Sequence, residues 1–590
     1  MDTTIEDTAD AVRLLGGEVL AGSDADGADR YGGWLLALVG AALPDRGRVL
    51  VAGRHDDSLL TALADRGLAV DLVLRNLPDA RAARTRLAAS GVRVLCGGLD
   101  RLPPDGSGYA AVIALDDPAA LYGPDSPPRR WADTVALLAA LAAPGAPALL
   151  LVRNGLGLDR LTGVAAASDT DVPPGLAAVR TALAAAGLRT GSVLAAYPGL
   201  VAEETALAAA GDGVASLVAA ACLPGPAPVL TDPAPLARDA VRHGLGVALA
   251  PAWVVLTCRA DDDRPTPTAA PTARPGIVLA DRGVPDFWAV PQLLQRDADG
   301  GWRRAPLSAD TAPRALDHLT RDPSTLDGPV PAGVPLRDLL VAAAAADDLV
   351  TARELVRAYR EWLLADGTDG DWRAVWAGDE TGHGPLAAPG KAVADLSGVL
   401  LGPDGPALAD PSWSTTLAVP VDLVFLRALQ RFCYELVAGG HRHPWPVGVS
   451  PDRLAVTLAA TAGVAVSARD LAAAAAYAVH LDEPRAPADG GDAKRYAELR
   501  ERWSADPGHG TVPPTGYAEA VRLVGSLTAE LADARAQIRW LDDSVAERDR
   551  RLGELGTLRR SVTYRIGYLF TFPFHIGIRL LRREMRRLRS

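Results

Sequence analysis

A histidine followed by two aspartates, His55-Asp56-Asp57, comes directly after Gly53-Arg54 at the end of a short apolar run. An imidazole beside carboxylates is raw material for acid–base chemistry, because its ordinary pKa of about 6.5 lets it exchange protons near neutrality. Three adjacent polar residues also suit a solvated turn, and both readings stay open. The other histidines are scattered. His441 and His443 in GGHRHPWP are close enough to share a metal, but no third ligand accompanies them and the segment reads as a loop. Cys96, Cys222, Cys258 and Cys433 lie far apart without a CxxC pair, so neither zinc ligation nor a disulfide framework is expected. Such usage fits a reducing cytosol.

The elements around Gly53 alternate. RVLVAG (48–53) reads as a buried strand, SLLTALADRG (58–67) as a helix ending at glycine, and LAVDLVLR (68–75) as a second strand. GVRVLCGG (91–98), YAAVIALDD (109–117) and APALLLVRN (146–154) continue the strands, with a helix at 131–145 before the last of them. Strands joined by helices at this spacing predict an α/β fold, a Rossmann-like doubly wound parallel sheet. AVRTALAAAGL (178–188) and SVLAAYPGL (192–200) extend it, and AWVVLTCRA (252–260) reads as a final strand. Residues 1–46 read as a helical lead-in anchored by Trp34, Leu35, Leu36 and Leu38.

Over about 48–200 this order resembles class I S-adenosylmethionine-dependent methyltransferases. The resemblance implies S-adenosylmethionine as cofactor, with the loop after the first strand approaching it closely. In that loop Gly53 is kept, while the next two glycines are replaced within Arg54-His55-Asp56-Asp57. Side chains there stand where a nucleotide sugar is expected, although Asp56 or Asp57 could contact the ribose or the methionine ammonium. The family's acidic residue at the end of strand two would fall near Leu74 or Arg75 and is missing. By the same resemblance Asp100, after Gly98-Leu99, would accept the adenine amino group, and Asp116 would end strand four facing substrate. In-line methyl transfer relies chiefly on positioning.

A Pro/Thr/Asp-rich stretch, 261–275, reads as a linker between the 47–260 domain and a second one at 276–483. Residues 328–340 and 394–413 are similar in layout to protein-kinase-like phosphotransferases, which implies a mixed α+β (kinase-like) domain or a helical one. Asp395 would then match the catalytic aspartate and Asp410 the metal aspartate. The pattern departs in lacking the preceding histidine and the loop asparagine, and Pro411-Ser412 replaces Phe-Gly. Phosphoryl transfer needs base and metal ligands together, so a structural or glycan-binding module is the expectation.

After a second linker, 484–516, Val524, Leu527, Leu531, Ala534, Ile538, Leu541, Val545, Arg548, Leu552 and Leu555 follow a 3,4 spacing. This predicts a coiled coil within 517–558. Its β-branched a positions and mostly Leu d positions favour a homodimer, with a trimer as alternative. The tail, 559–590, holds nine Arg against the single Glu584. Phe570, Phe572 and Phe574 form an aromatic wedge, Pro573 is expected to break any helix, and Arg579, Arg582, Arg583, Arg586 and Arg587 lie mostly off the stripe that follows. A basic amphipathic tail of this kind suits an anionic membrane surface.

The net charge of −12 leaves an acidic body in front of that tail. A general nucleic-acid partner is therefore not expected, since it would require a basic footprint. No secretory leader and no spanning segment is read in the sequence. The expected location is cytoplasmic, peripheral on the inner face of the cell membrane. The domain order resembles bacterial methyltransferase–kinase proteins of surface-polysaccharide synthesis. That implies a sugar or glycolipid acceptor, or, alternatively, a non-catalytic scaffold for glycan-synthesis enzymes.

Overall fold

The computed structural model describes residues 12–485, apart from 21–22, 24–30, 103–107, 117–120, 164–174, 223–230, 261–275, 282–283, 309, 439–440 and 446–448. It also describes scattered positions within 531–560 and residues 561–587. Two compact units emerge, Met1–Glu519 and Ala520–Ser590.

The first unit is built on one long sheet. Its parallel part comprises β1 (Arg13–Gly16), β2 (Arg48–Ala52), β3 (Ala69–Leu74), β4 (Arg93–Gly97), β5 (Ala111–Ala114) and β6 (Pro147–Arg153), in the order β1-β4-β3-β2-β5-β6. Leaving β1 aside, this is the 3-2-1-4-5 order of doubly wound folds. β2, β5 and β6 are nearly continuous apolar runs because both faces are covered, while β3 carries a buried Asp71 that pairs with Arg93. Val49 and Val51 enter one core with Leu59, Leu63 and Val70, while Leu50 and Ala52 enter the other with Val112, Trp131 and Leu138. The helix Asp57–Asp65 starts where Asp56 accepts the Ser58 N–H, and Asn76 caps Leu77–Arg86 in the same way through the Asp79 N–H.

Beyond β6 the sheet turns antiparallel through β7 (Leu188–Tyr197), β8 (Leu200–Glu203) and β9 (Ala252–Arg259), with β9 between β6 and β7. It does not stop at the expected domain boundary. β10 (Gly276–Leu279) pairs with β8, and β11 (Gln292–Arg296) and β12 (Trp302–Pro306) add to that edge. The segment 261–275 itself lies outside the described residues. Pro and Thr mark a connection there, and a connection can join two strands of one sheet.

The lead-in also differs from expectation. Short helical turns cover 33–42, with Leu35 and Leu38 buried as anchors, but Arg13–Gly16 is a strand parallel to β4. Four residues ending at Gly16, which has φ +98°, suit an edge strand better than a helix.

After Pro335 come the helices Leu336–Ala345, Leu349–Ala365, Val421–Ala438, Pro451–Thr461 and Ala468–Asp482, packed around Tyr359, Phe425, Phe432 and Tyr477. Two hairpins interrupt them, Thr368–Ala374 with Glu380–Leu386, and Val399–Gly402 with Gly405–Leu408.

In the second unit, Leu531, Ile538, Leu541, Val545 and Leu552 are helical and exposed. Val524, Leu527 and Leu555 of the expected seam lie outside the described residues. The helix Val562–Arg587 then runs unbroken through Pro573, contrary to the expected break. A proline removes only one ladder hydrogen bond, and twenty-six residues supply enough others to carry the helix past it. Among the described residues no helix is long and apolar enough to cross a membrane.

Candidate functional site

Doubly wound sheets bind ligands outside the carboxyl ends of their strands, where the strand order reverses. Here that point lies between β2 and β5. Gly53 and Arg54 follow β2, and Leu115 and Asp116 follow β5. Gly53 has φ +91°, and a Cβ on it would meet the Asp116 Cβ at 2.6 Å, so only glycine passes.

Arg54 spans the crevice. Its Nε and Nη2 donate to the two carboxylate oxygens of Asp116, each at 2.8 Å, and its backbone N–H adds a third bond at 2.9 Å. The Asp116 side chain is 4% exposed and that of Arg54 18%. A fork of this geometry is the strongest kind of ion pair.

Below it lies His55. The expected alternatives for this residue were a reactive group and a solvated turn, yet the side chain is buried. Its Nδ1 lies 3.1 Å from the Gly53 carbonyl oxygen, and its Nε2 accepts the Leu115 N–H at 3.3 Å. Burial pushes its pKa below the ordinary value, outweighing the Gly53 carbonyl and the Asp116 charge. A neutral ring with both nitrogens engaged ties the two loops together.

The remaining expected cofactor residues are occupied differently. Asp56 caps the following helix through Ser58, and Asp57 pairs with Arg86 at 2.6 Å. Asp100 sits in a short turn, accepting from Ser126 at 3.1 Å with Arg129 at 3.6 Å. Among these described residues, Gly53 and Asp116 face one another closely enough that a Cβ on the glycine would strike the aspartate. At the end of β3, where an acidic residue was missing, Arg75 gives its carbonyl to the Val19 N–H (2.8 Å), and Leu77 N–H donates to the Val19 carbonyl (2.9 Å). At the end of β4, Gly98 N–H donates to the Gly16 carbonyl at 3.1 Å. Residues 16–19 thus cross two strand ends, a feature missed in the sequence. Its signal was the set of glycines at Gly16, Gly17, Gly97, Gly98 and Gly123, which permit backbone to touch backbone.

As folded, these residues do not fit a nucleotide cofactor. The fork fills the crevice, and the backbone groups beside it are spent on the chain's own amino-terminal segment.

The kinase-like aspartates are likewise engaged. Asp395 accepts the Ser397 and Gly398 N–H groups and lies 3.3 Å from Arg431. Asp410 accepts the Ser412 N–H and lies 3.4 Å from the fully buried Arg321. His441 bonds Asp232 at 3.0 Å, and His443 tilts against Trp445. Among the described residues no group of three or more His, Cys, Asp or Glu could hold a metal.

In the second unit, Phe570 and all five arginines, Arg579, Arg582, Arg583, Arg586 and Arg587, are exposed. The side chains of Phe572 and Phe574 lie outside the described residues.

No family model and no curated protein matches the chain. Methyltransferases are among the solved structures similar to it. One is a putative sarcosine dimethylglycine methyltransferase from Galdieria sulphuraria, at 14% identity over 38% of this chain and 83% of that one, TM-score 0.23. Another is an S-adenosylmethionine-dependent methyltransferase from Mesorhizobium loti, at 15% identity over 37% and 94%, TM-score 0.23. A third is a Haemonchus contortus phosphoethanolamine N-methyltransferase with S-adenosylhomocysteine bound, at 12% over 36% and 49%, TM-score 0.22. At these scores the strand order, not the likeness, carries the fold.

Proposed function

We propose that the chain is an S-adenosylmethionine-dependent methyltransferase-like protein that acts on a sugar or glycolipid of surface-polysaccharide synthesis at the inner membrane face. The observation that carries the methyltransferase-like part is the 3-2-1-4-5 strand order with Gly53 tightly turned at the end of its central strand. The membrane part is supported by the exposed helix Val562–Arg587, which carries Leu569, Phe570, Leu580, Leu581 and Met585 as apolar area together with its arginines. A homodimer through the exposed heptad seam would present two such helices to one surface, so that weak docking events combine. With the cleft closed as described, no transfer step is derived through it.

The Arg54–Asp116 fork favours a second reading, a non-catalytic scaffold in which the pseudo-methyltransferase and pseudokinase parts organise glycan-synthesis enzymes. Labelled methyl transfer separates the two. The full chain is given S-adenosylmethionine labelled in its methyl group together with membranes that carry lipid-linked saccharides. Label in the saccharide fraction supports the transferase. Its absence, with the chain still pelleting on the membranes, leaves the scaffold.

A further inference from the structure

In the second unit Leu531, Ala534, Ile538, Leu541, Val545, Arg548 and Leu552 are helical, and each is exposed in the single chain. Their 3,4 spacing sets them along one stripe, with Leu531, Ile538, Val545 and Leu552 at the a positions of the heptad and Ala534, Leu541 and Arg548 at d. A second helix would cover that apolar area, and two residues of the stripe decide which way round it lies. Arg548 brings a guanidinium into the seam, and Ala534 brings its smallest side chain.

A parallel pair in register sets each seam residue against its own copy. Arg548 would then face Arg548, like charges brought together where water is excluded. Ala534 would face Ala534, leaving a gap that two methyl groups do not fill. An antiparallel pair sets a against d instead. Leu531 then meets Arg548 of the second copy, Ile538 meets Leu541, and Val545 meets Ala534. Every layer holds one larger aliphatic side chain, no layer holds two charges, and Arg548 reaches along Leu531 to water.

The flanking charges agree. Across an antiparallel seam, e positions face e and g positions face g. Arg535, helical and exposed at e, stands opposite Asp542 of the second copy, and Glu530 at g stands opposite Arg551. The twofold axis repeats both pairs. A parallel pair sets g against the next e, where Glu530 with Arg535 is the opposite-charge match within the seam. Glu530, Asp542 and Arg551 lie outside the described residues and enter by their heptad positions alone.

We propose that this seam joins two copies antiparallel, Leu531 of each against Arg548 of the other. This rests on the reading that the chain dimerises through the seam. The consequence for membrane docking is geometric. The stretch from Leu531 to Leu552 is about 30 Å long as a helix, and the two Val562–Arg587 helices leave from its opposite ends. The pair therefore meets a surface at two separated points.

Disulfide trapping in the full-length chain tests the order, because the four native cysteines are buried. Leu531→Cys and Arg548→Cys are prepared as separately tagged chains, oxidised alone, and oxidised after mixing under reducing conditions. In the antiparallel pair, like positions lie about 25 Å apart along the axis, far beyond the reach of a disulfide. Cross-linked dimer is expected in the mixture at about tenfold or more the yield of either chain alone. Equal or greater cross-linking of each chain alone overturns the antiparallel order and leaves dimerisation through the seam intact. A wild type that stays monomeric in sedimentation equilibrium at micromolar concentration overturns the dimer and its order together.

Charge swaps that leave the seam untouched cover the case in which the cysteine variants do not associate. Arg535→Asp is expected to weaken the dimer about fivefold. Adding Asp542→Arg restores an antiparallel pair, whereas adding Glu530→Arg restores a parallel one. Rescue by Glu530→Arg and not by Asp542→Arg overturns the antiparallel order.

Discussion

Arg54 and Asp116 face one another across the reversal of strand order, guanidinium to carboxylate through two side-chain hydrogen bonds of 2.8 Å. The loops that carry them follow strands far apart in the sequence but adjacent in the sheet, so the pair bolts the crevice shut from both walls. Removing the Arg54 side chain takes the guanidinium from a buried carboxylate, which keeps the bond from the backbone N–H of residue 54. Arg54→Ala is expected to destabilise the first unit by on the order of 3 kcal/mol. The double variant Arg54→Ala/Asp116→Ala should lose less than the sum of the two single changes. Urea unfolding of the four proteins measures this, and additive losses would show that the pair is not coupled.

A second buried network joins three helices of the same unit. Arg337 bonds Asp232, Asp338 (2.9 Å) and Glu435 (2.8 Å), and Arg238 adds a bond to Asp338 at 2.6 Å. Burial alone would raise the Asp232 carboxyl, but His441 and Arg337 outweigh it and hold the group below the usual carboxylate range. Arg337→Met removes the cation that joins the three acids and leaves them with their outer partners, Arg238 on Asp338, His441 on Asp232 and Arg431 on Glu435, and should cost about 3 kcal/mol, read as a lower urea midpoint. A midpoint within error of wild type would contradict the network's role.

His55 gives the pH dependence a direction. Its folded pKa lies below the ordinary imidazole value, so the unfolded chain binds its proton first as pH falls. Its stabilisation is complete above pH about 6.5 and declines as pH drops through the folded value, at most by about 1.4 kcal/mol per pH unit. His55→Gln should flatten the slope between pH 6.5 and 5. His318, also lowered by burial and by its neighbour His480, leaves a residual slope. An unchanged slope in the variant would remove His55 from the account.

How much of this was legible varies from residue to residue. The strands at 48–52, 69–74, 93–97, 111–114 and 147–153 could be read because each is a β-branched or aliphatic run closed by glycine, proline or a polar turn. That Arg54 stands in the nucleotide's place could also be read, since a side chain had replaced glycine. Its partner could not, because sheet adjacency of β2 and β5 has no local signature. Val19 against Arg75 was hidden for the same reason, and Arg13–Gly16 is too short to show a period. Composition marks a connection at 261–275, whereas the pairing of β10 with β8, which carries the sheet past it, has no local signature.

The proposed dimer depends on apolar side chains that the single chain leaves exposed, among them Leu531, Leu541 and Leu552. Leu541→Asp should shift the full chain from dimer to monomer in sedimentation equilibrium at micromolar concentration. A dimer that survives the change would place the association elsewhere.

Docking at a membrane is expected to need both parts of the helix Val562–Arg587. The full chain should pellet with vesicles rich in anionic lipid, release in high salt, and lose pelleting when truncated after residue 558. Phe570→Asp should weaken it, because that ring is 78% exposed and supplies apolar area. Equal pelleting by full and truncated chains would contradict the tail's role.

The protein's own residues, the Arg54–Asp116 fork and the segment 16–19, occupy the crevice where the strand order reverses. S-adenosylhomocysteine affinity of the full chain, wild type against Arg54→Gly/Gly123→Ala, tests it most directly. Binding tighter by about tenfold or more is expected in the double variant, which opens the fork and lifts the segment together. Equal affinity in the two proteins, whether tight or absent, would contradict it.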